Sequence, residues 1–167
     1  MKGFTPSLLD RLMRERGECA TQGATPGAPV NIEQLKDGVA RDLEALLNTH
    51  IALDAATLDA YPAARGSILR YGVIDFAGLC LTSAADRAAV CASIEDAIAT
   101  HEPRLRAVKA TLEQDAGDVN RLRIAIQARL ALDGLQEPVS FNAVLQPSSL
   151  HYAVRRTLRP RGPDGKR

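Results

Sequence analysis

The chain has no tryptophan, three tyrosines and three phenylalanines in 167 residues. So few aromatic rings exclude a base-stacking nucleic-acid platform and leave no obvious cleft for stacking sugars. Cysteine is as scarce. Cys19, Cys80 and Cys91 lack C-x-x-C spacing, which fits neither a disulfide framework nor a zinc site. They read as small buried apolar side chains in a reducing compartment. No apolar run approaches the roughly 18 residues of a membrane span. The opening Met1-Lys2-Gly3-Phe4-Thr5-Pro6 lacks the apolar region of a secretory signal, so a cytoplasmic location without membrane insertion is expected. Strong net charge is absent too. Against 20 acidic residues stand 21 basic ones, a formal +1, and the whole molecule is no polyanion trap.

What is present is the balance of one globular domain, 46% hydrophobic and 25% charged. The even charge hides an asymmetry. Residues 147–167 carry six basic side chains against Asp164 alone, a net +5 that leaves −4 over the rest. Either a solvated tail or a segment meeting an anionic or acidic neighbour follows.

Thr5-Pro6 pairs an N-cap with proline at the first helical position. Phe4, Leu8, Leu9, Leu12 and Met13 then share one face, so residues 1–16 are expected to form an amphipathic helix. Residues 17–30, rich in glycine and proline, read as a flexible linker spanning about 20 Å. Such a tethered helix packs on its own domain or serves a partner. The domain proper is expected over residues 31–158, with a basic tail at 159–167. Asn31 caps a helix running to about Thr49, with Ile32, Leu35, Val39, Leu43, Leu46 and Leu47 at helical spacing. Residues 51–66 read as irregular, 66–71 as a short helix before Gly72, and 73–81 as an ordered loop. Ser83, with Asp86 three residues on, starts a helix to about His101 that places Val90, Ile94, Ala97 and Ile98 on one side. Pro103 ends it.

Beyond Pro103 the apolar period changes to two. Leu122, Ile124, Ile126, Ala128, Leu130 and Leu132 alternate without a miss, predicting a half-buried strand. Residues 105–112 match less well, with Val108, Ala110 and Leu112 on one face. Asp115-Ala116-Gly117-Asp118 supplies a hairpin turn between the two. Val139, Phe141, Ala143 and Leu145 alternate again, and Tyr152 and Val154 fall in a last strand. The fold class is α+β: two or three helices on a small mixed sheet of about four strands.

No Gly-rich phosphate loop or nucleophile elbow occurs. His50, His101 and His151 are dispersed, so neither a metal site nor a cofactor is expected. Glu102-Pro103-Arg104 stands out, because proline fixes the backbone between opposite charges at a helix-to-strand junction. One reading is a helix stop with solvated charges. The other is a rigid clamp turning a carboxylate and a guanidinium toward a loop or a partner. Glu102, Glu137 and Asp75 are the carboxylates from which a glycosidase pair could be drawn. The arginine beside Glu102 works against a general acid there.

Four segments occur in a set order: Phe4-Thr5-Pro6-Ser7-Leu8-Leu9-Asp10-Arg11-Leu12, Ser67-Ile68-Leu69-Arg70-Tyr71-Gly72, His101-Glu102-Pro103-Arg104-Leu105 and Glu137-Pro138-Val139-Ser140-Phe141. Together they resemble the TssE family of small baseplate wedge subunits in type VI secretion systems, similar in turn to the small wedge protein of contractile phage tails. The resemblance runs over most of residues 4–154. It implies a non-enzymatic α+β subunit joining baseplate wedge-core proteins to sheath proteins, with no nucleic acid or small-molecule substrate. The family's Glu-Pro-Arg motif maps onto Glu102, Pro103 and Arg104 and implies wedge-core binding there. Two departures exist: Asn142-Ala143 replaces a usual acidic position, and the turn before Tyr152 lacks the expected glycine. An edge strand near the C-terminus could exchange main-chain hydrogen bonds with a neighbour, which singles out Tyr152, Val154 and Arg155 for the sheath side. Phe4, Leu8, Leu9 and Leu12 would form a second anchor. Two other classes stand as alternatives, a regulatory binding module of the same fold that blocks a response regulator, and a muramidase.

Overall fold

The computed structural model describes residues 31–51, 53, 55–64, 67–76, 83–113, 122–132, 135–146 and 151–157. The expected helix at 1–16, the linker at 17–30, Cys19, Cys80 and the basic tail lie outside them. The chain divides into two compact units, Met1–Val39 and Ala40–Arg167. In the first, the described residues are the start of helix α1 (Ile32–Leu47). Asn31 caps it: its side-chain oxygen accepts the Glu33 amide at 2.8 Å, while Gln34 Oε1 accepts the Asn31 amide at 3.2 Å. This reciprocal exchange satisfies donors that a helix start otherwise leaves open.

The second unit holds the rest of α1, a short helix α2 (Ala55–Asp59), 3₁₀ turns at Pro62–Ala64 and Ile68–Arg70, helix α3 (Ala84–His101) and four strands. Within the stretch read as irregular, α2 buries Leu58. Its five residues are too short to leave a periodic signal in the sequence. Ser83 caps α3 by accepting the Asp86 amide at 3.3 Å, as expected. Cys91, on α3, is half-buried rather than buried.

The strands are β1 (Leu105–Glu113), β2 (Arg123–Leu132), β3 (Leu135–Gln146) and β4 (His151–Arg156), in the order β1-β2-β3-β4. Every pairing is antiparallel, not mixed, since each strand joins its sequence neighbour and no crossover intervenes. Ile124, Ile126, Ala128, Leu130 and Leu132 are all buried, as the alternation demands. With Leu43, Leu47, Val90, Ile94, Ile98 and Phe141 they make the core. Each Leu, Ile, Val or Phe side chain among them contributes about 2 kcal/mol on burial.

β1 carries the irregularity that weakened its pattern. Its register with β2 shifts between Arg106 and Lys109, and Ala107 there has a φ of 51°. This bulge reverses side-chain parity, so Leu105 and Ala110 are both buried although an odd number of steps separates them. Val108 is therefore only half-buried. Pro138 is tolerated in β3 because β4 pairs only with residues 141–146, leaving the proline beyond the last paired rung.

Candidate interaction site

The Glu-Pro-Arg turn lies between α3 and β1. The Glu102 amide donates to the Ile98 carbonyl at 2.8 Å and closes α3, while the Leu105 amide returns to the Glu102 carbonyl at 3.0 Å. The Arg104 carbonyl accepts the Ala131 amide at 2.8 Å, which fastens the turn to β2. Pro103 is exposed at the tip.

The two charges face inward. Glu102 is 5% exposed. Its Oε1 accepts Arg104 Nε at 2.6 Å, and its Oε2 accepts Arg104 Nη2. Nη2 also donates to Asp42 Oδ2 on α1 at 2.5 Å. The hydrogen bond to Glu102 holds the guanidinium well above its ordinary pKa against desolvation, and Asp42 adds to this. The motif thus clamps a loop to a helix within this unit, one of the two alternatives its sequence allowed. Nη1 of Arg104 is buried without a hydrogen-bond partner among the described residues.

The Ser67–Gly72 segment meets this turn in space. His101 Nε2 lies 2.9 Å from the Arg70 carbonyl, the Tyr71 and His101 rings meet edge-on at 5.3 Å, and Arg70 pairs with Asp96 at 2.9 Å. Burial, together with the negative charges of Asp42 and Glu102, raises the Tyr71 phenol above its usual pKa. Gly72 makes the approach possible. Its φ is +124°, and a Cβ there would lie 2.3 Å from the Thr49 carbonyl oxygen. Ile68 and Leu69 of the same segment are exposed, at 84% and 52%. A cavity of about 200 Å³ opens beside it, bounded by Ile51, Arg70, Gly72, Asp96 and His101.

Tyr152, Val154 and Arg155 lie on β4, which is an edge strand of the sheet. Tyr152 and Val154 are buried and Arg155 is exposed. The outward backbone of this edge is already engaged. Asn48 on α1 takes both the Tyr152 amide and its carbonyl at 2.8 Å, and Glu44 Oε2 accepts the Val154 amide at 2.8 Å. On the opposite edge Glu95 of α3 accepts the Ala110 amide of β1 at 2.9 Å. Helix side chains therefore seal parts of both edges, which blunts unwanted strand pairing.

Sequence reasoning missed Asp42, Glu44, Asn48 and Glu95. Asp42 had a signal: it sits three residues after Val39 and beside Leu43, on the margin of an apolar stripe where an acid needs a partner. Asp75 is an exposed loop residue and Glu137 lies on β3, whereas both oxygens of Glu102 are bonded to Arg104. Among the described residues no group of three or more His, Cys, Asp or Glu is placed to hold a metal ion, and no helix is long and apolar enough to cross a membrane. Phe4, Leu8, Leu9 and Leu12 lie outside the described residues.

The described residues of the second unit thus form a small α+β fold with an internally clamped turn and partly sealed sheet edges. The chain belongs to the family of the baseplate wedge protein gp25, whose model matches residues 33–134. A chain of a solved structure titled "The baseplate complex from the type VI secretion system" is similar to it, with 16% identity over 68% of this chain and 96% of that one and a TM-score of 0.46. None of the curated proteins matches.

Proposed function

We propose that this protein is a structural, non-enzymatic subunit of a type VI secretion baseplate, acting in the cytoplasm and joining the wedge core to the contractile sheath by protein–protein contacts. The observation that carries this reading is membership of the wedge family over residues 33–134. The four ordered segments that resemble TssE favour the secretion machine over a phage tail. In this role the Glu102–Arg104–Asp42 clamp sets the shape of the turn that offers Pro103 to the wedge core. Arg155 and the β4 edge serve the sheath side, where a strand joining at Tyr152 or Val154 must first displace Asn48 or Glu44. The segment bearing Phe4, Leu8, Leu9 and Leu12 is the second anchor.

The test is affinity purification of the tagged full chain from its own cytosol, identified by mass spectrometry. Pro103→Ala and a chain lacking residues 1–16 are purified in parallel. Wedge-core and sheath proteins are expected with the wild type and reduced with both variants. Recovery of a response regulator instead, or of no wedge protein, overturns the reading.

A further inference from the structure

The solvent face of the sheet carries a charge pattern that stability does not explain. Register places Arg106 directly opposite Arg129, and both are exposed. Like charges facing across a ladder destabilise it. Neither guanidinium meets a carboxylate among the described residues, and Arg129 reaches only Gln136 Oε1, at 3.5 Å. The bulge adds to this face. In an unbroken strand with Arg106 outward, Lys109 would point to the core and Ala110 to solvent. The positive φ of Ala107 reverses that, and Lys109 stands outward with its ammonium leaning to 3.9 Å from Glu95. Farther along, Arg155 continues the row of Thr111, Ala125 and Asn142, and Arg123 lies opposite Glu113. Among the described residues, five basic side chains and the single carboxylate of Glu113 occupy this face, in a chain whose net charge is +1.

We propose that this open sheet face docks a protein partner through that partner's carboxylate side chains, with Arg106 and Arg129 as the anchoring pair. Guanidinium forks match planar carboxylates, and two of them side by side are satisfied by an acidic surface that relieves their mutual repulsion. Beside them the face bears small or amide side chains such as Ala125 and Gln127. Among the described residues this face has no Phe or Tyr ring on which a base could stack, only the imidazole of His151 at its far end, which favours a protein over a nucleic acid. The partner belongs to the assembly proposed above, and the inference rests on that reading.

The experiment purifies the tagged full chain from its own cytosol as wild type, as Arg106→Glu, and as the double variant Arg106→Lys/Arg129→Lys. Arg106→Glu sets opposite charges across the ladder, so it is expected to melt slightly above wild type. It is also expected to recover about tenfold less of one wedge-core or sheath protein. Opposite signs for stability and binding separate lost docking from unfolding. The lysine variant keeps the charge but loses the guanidinium forks, and is expected to hold the partner more weakly than wild type and more tightly than Arg106→Glu. Treatment with a water-soluble carbodiimide is expected to join the amine introduced at position 106 or 129 to an Asp or Glu of that protein. Equal recovery by Arg106→Glu and wild type overturns this proposal and leaves the baseplate reading standing. Absence of wedge and sheath proteins from the wild-type sample overturns both. Release of the partner from wild type by nuclease assigns the face to nucleic acid and overturns the proposal.

Discussion

Nη2 of Arg104 donates to Oδ2 of Asp42 at 2.5 Å, binding the turn before β1 to a helix 62 residues earlier in the chain. The same guanidinium holds Glu102, so one side chain neutralises two acids from separate elements. Removing one member of such a pair leaves a buried charge uncompensated. Arg104→Ala is therefore expected to lower stability by about 3 kcal/mol, read as an earlier midpoint in urea at unchanged slope. A wild-type midpoint for Arg104→Ala would show that the clamp is not structural.

Gly72→Ala forces a Cβ to within 2.3 Å of the Thr49 carbonyl at a φ of +124°. Strain of this kind costs at least about 2 kcal/mol. The variant is expected to melt well below wild type and to lose amide protection at Ile51 and Val73, whose amides bond across that approach. An unchanged melting temperature would contradict this geometry.

Asn48→Ala removes the partner of both the Tyr152 amide and its carbonyl. Leaving buried polar groups open costs about 2 kcal/mol. The bared β4 edge is also expected to promote self-association, visible as concentration-dependent light scattering. Glu44→Ala should act in the same direction through Val154. A monodisperse Asn48→Ala at all concentrations would refute the sealing role.

Burial, with Asp42 and Glu102, raises the Tyr71 phenol above 10, and burial raises Tyr152 likewise. A pKa higher in the fold than in the unfolded chain means that the neutral phenol supports the fold fully below pH 10. That support is lost as pH rises through the folded values. Stability is expected to decline above pH 10, and Tyr71→Phe to flatten the decline. The checks are urea midpoints across that range and ultraviolet titration of the phenols. A decline equally steep in Tyr71→Phe would remove Tyr71 as its source.

Periodicity and capping were enough to read α1, α3 and the three regular strands, because each of these elements states its buried face in its own residues. Ser83 with Asp86, Asn31 before its apolar stripe, and the alternation from Ile124 to Leu132 are local signals, and the structure bears them out, while Leu122 precedes the strand and is half-buried. β1 defeated the same reasoning, since the bulge at Ala107 breaks the period of two. α2 escaped because five residues span little more than one turn.

The sequence by itself determined the α+β class and the placement of the core side chains on α1, α3 and β2, and it singled out the Glu102–Arg104 turn. All follow from interactions between residues a few positions apart. Only the tertiary structure decided that Arg104 turns inward to Asp42, that Asn48 and Glu44 close the β4 edge, and that Arg106 faces Arg129. Those contacts join residues 23 to 110 positions apart, and their geometry exists only once strand register and helix placement are set.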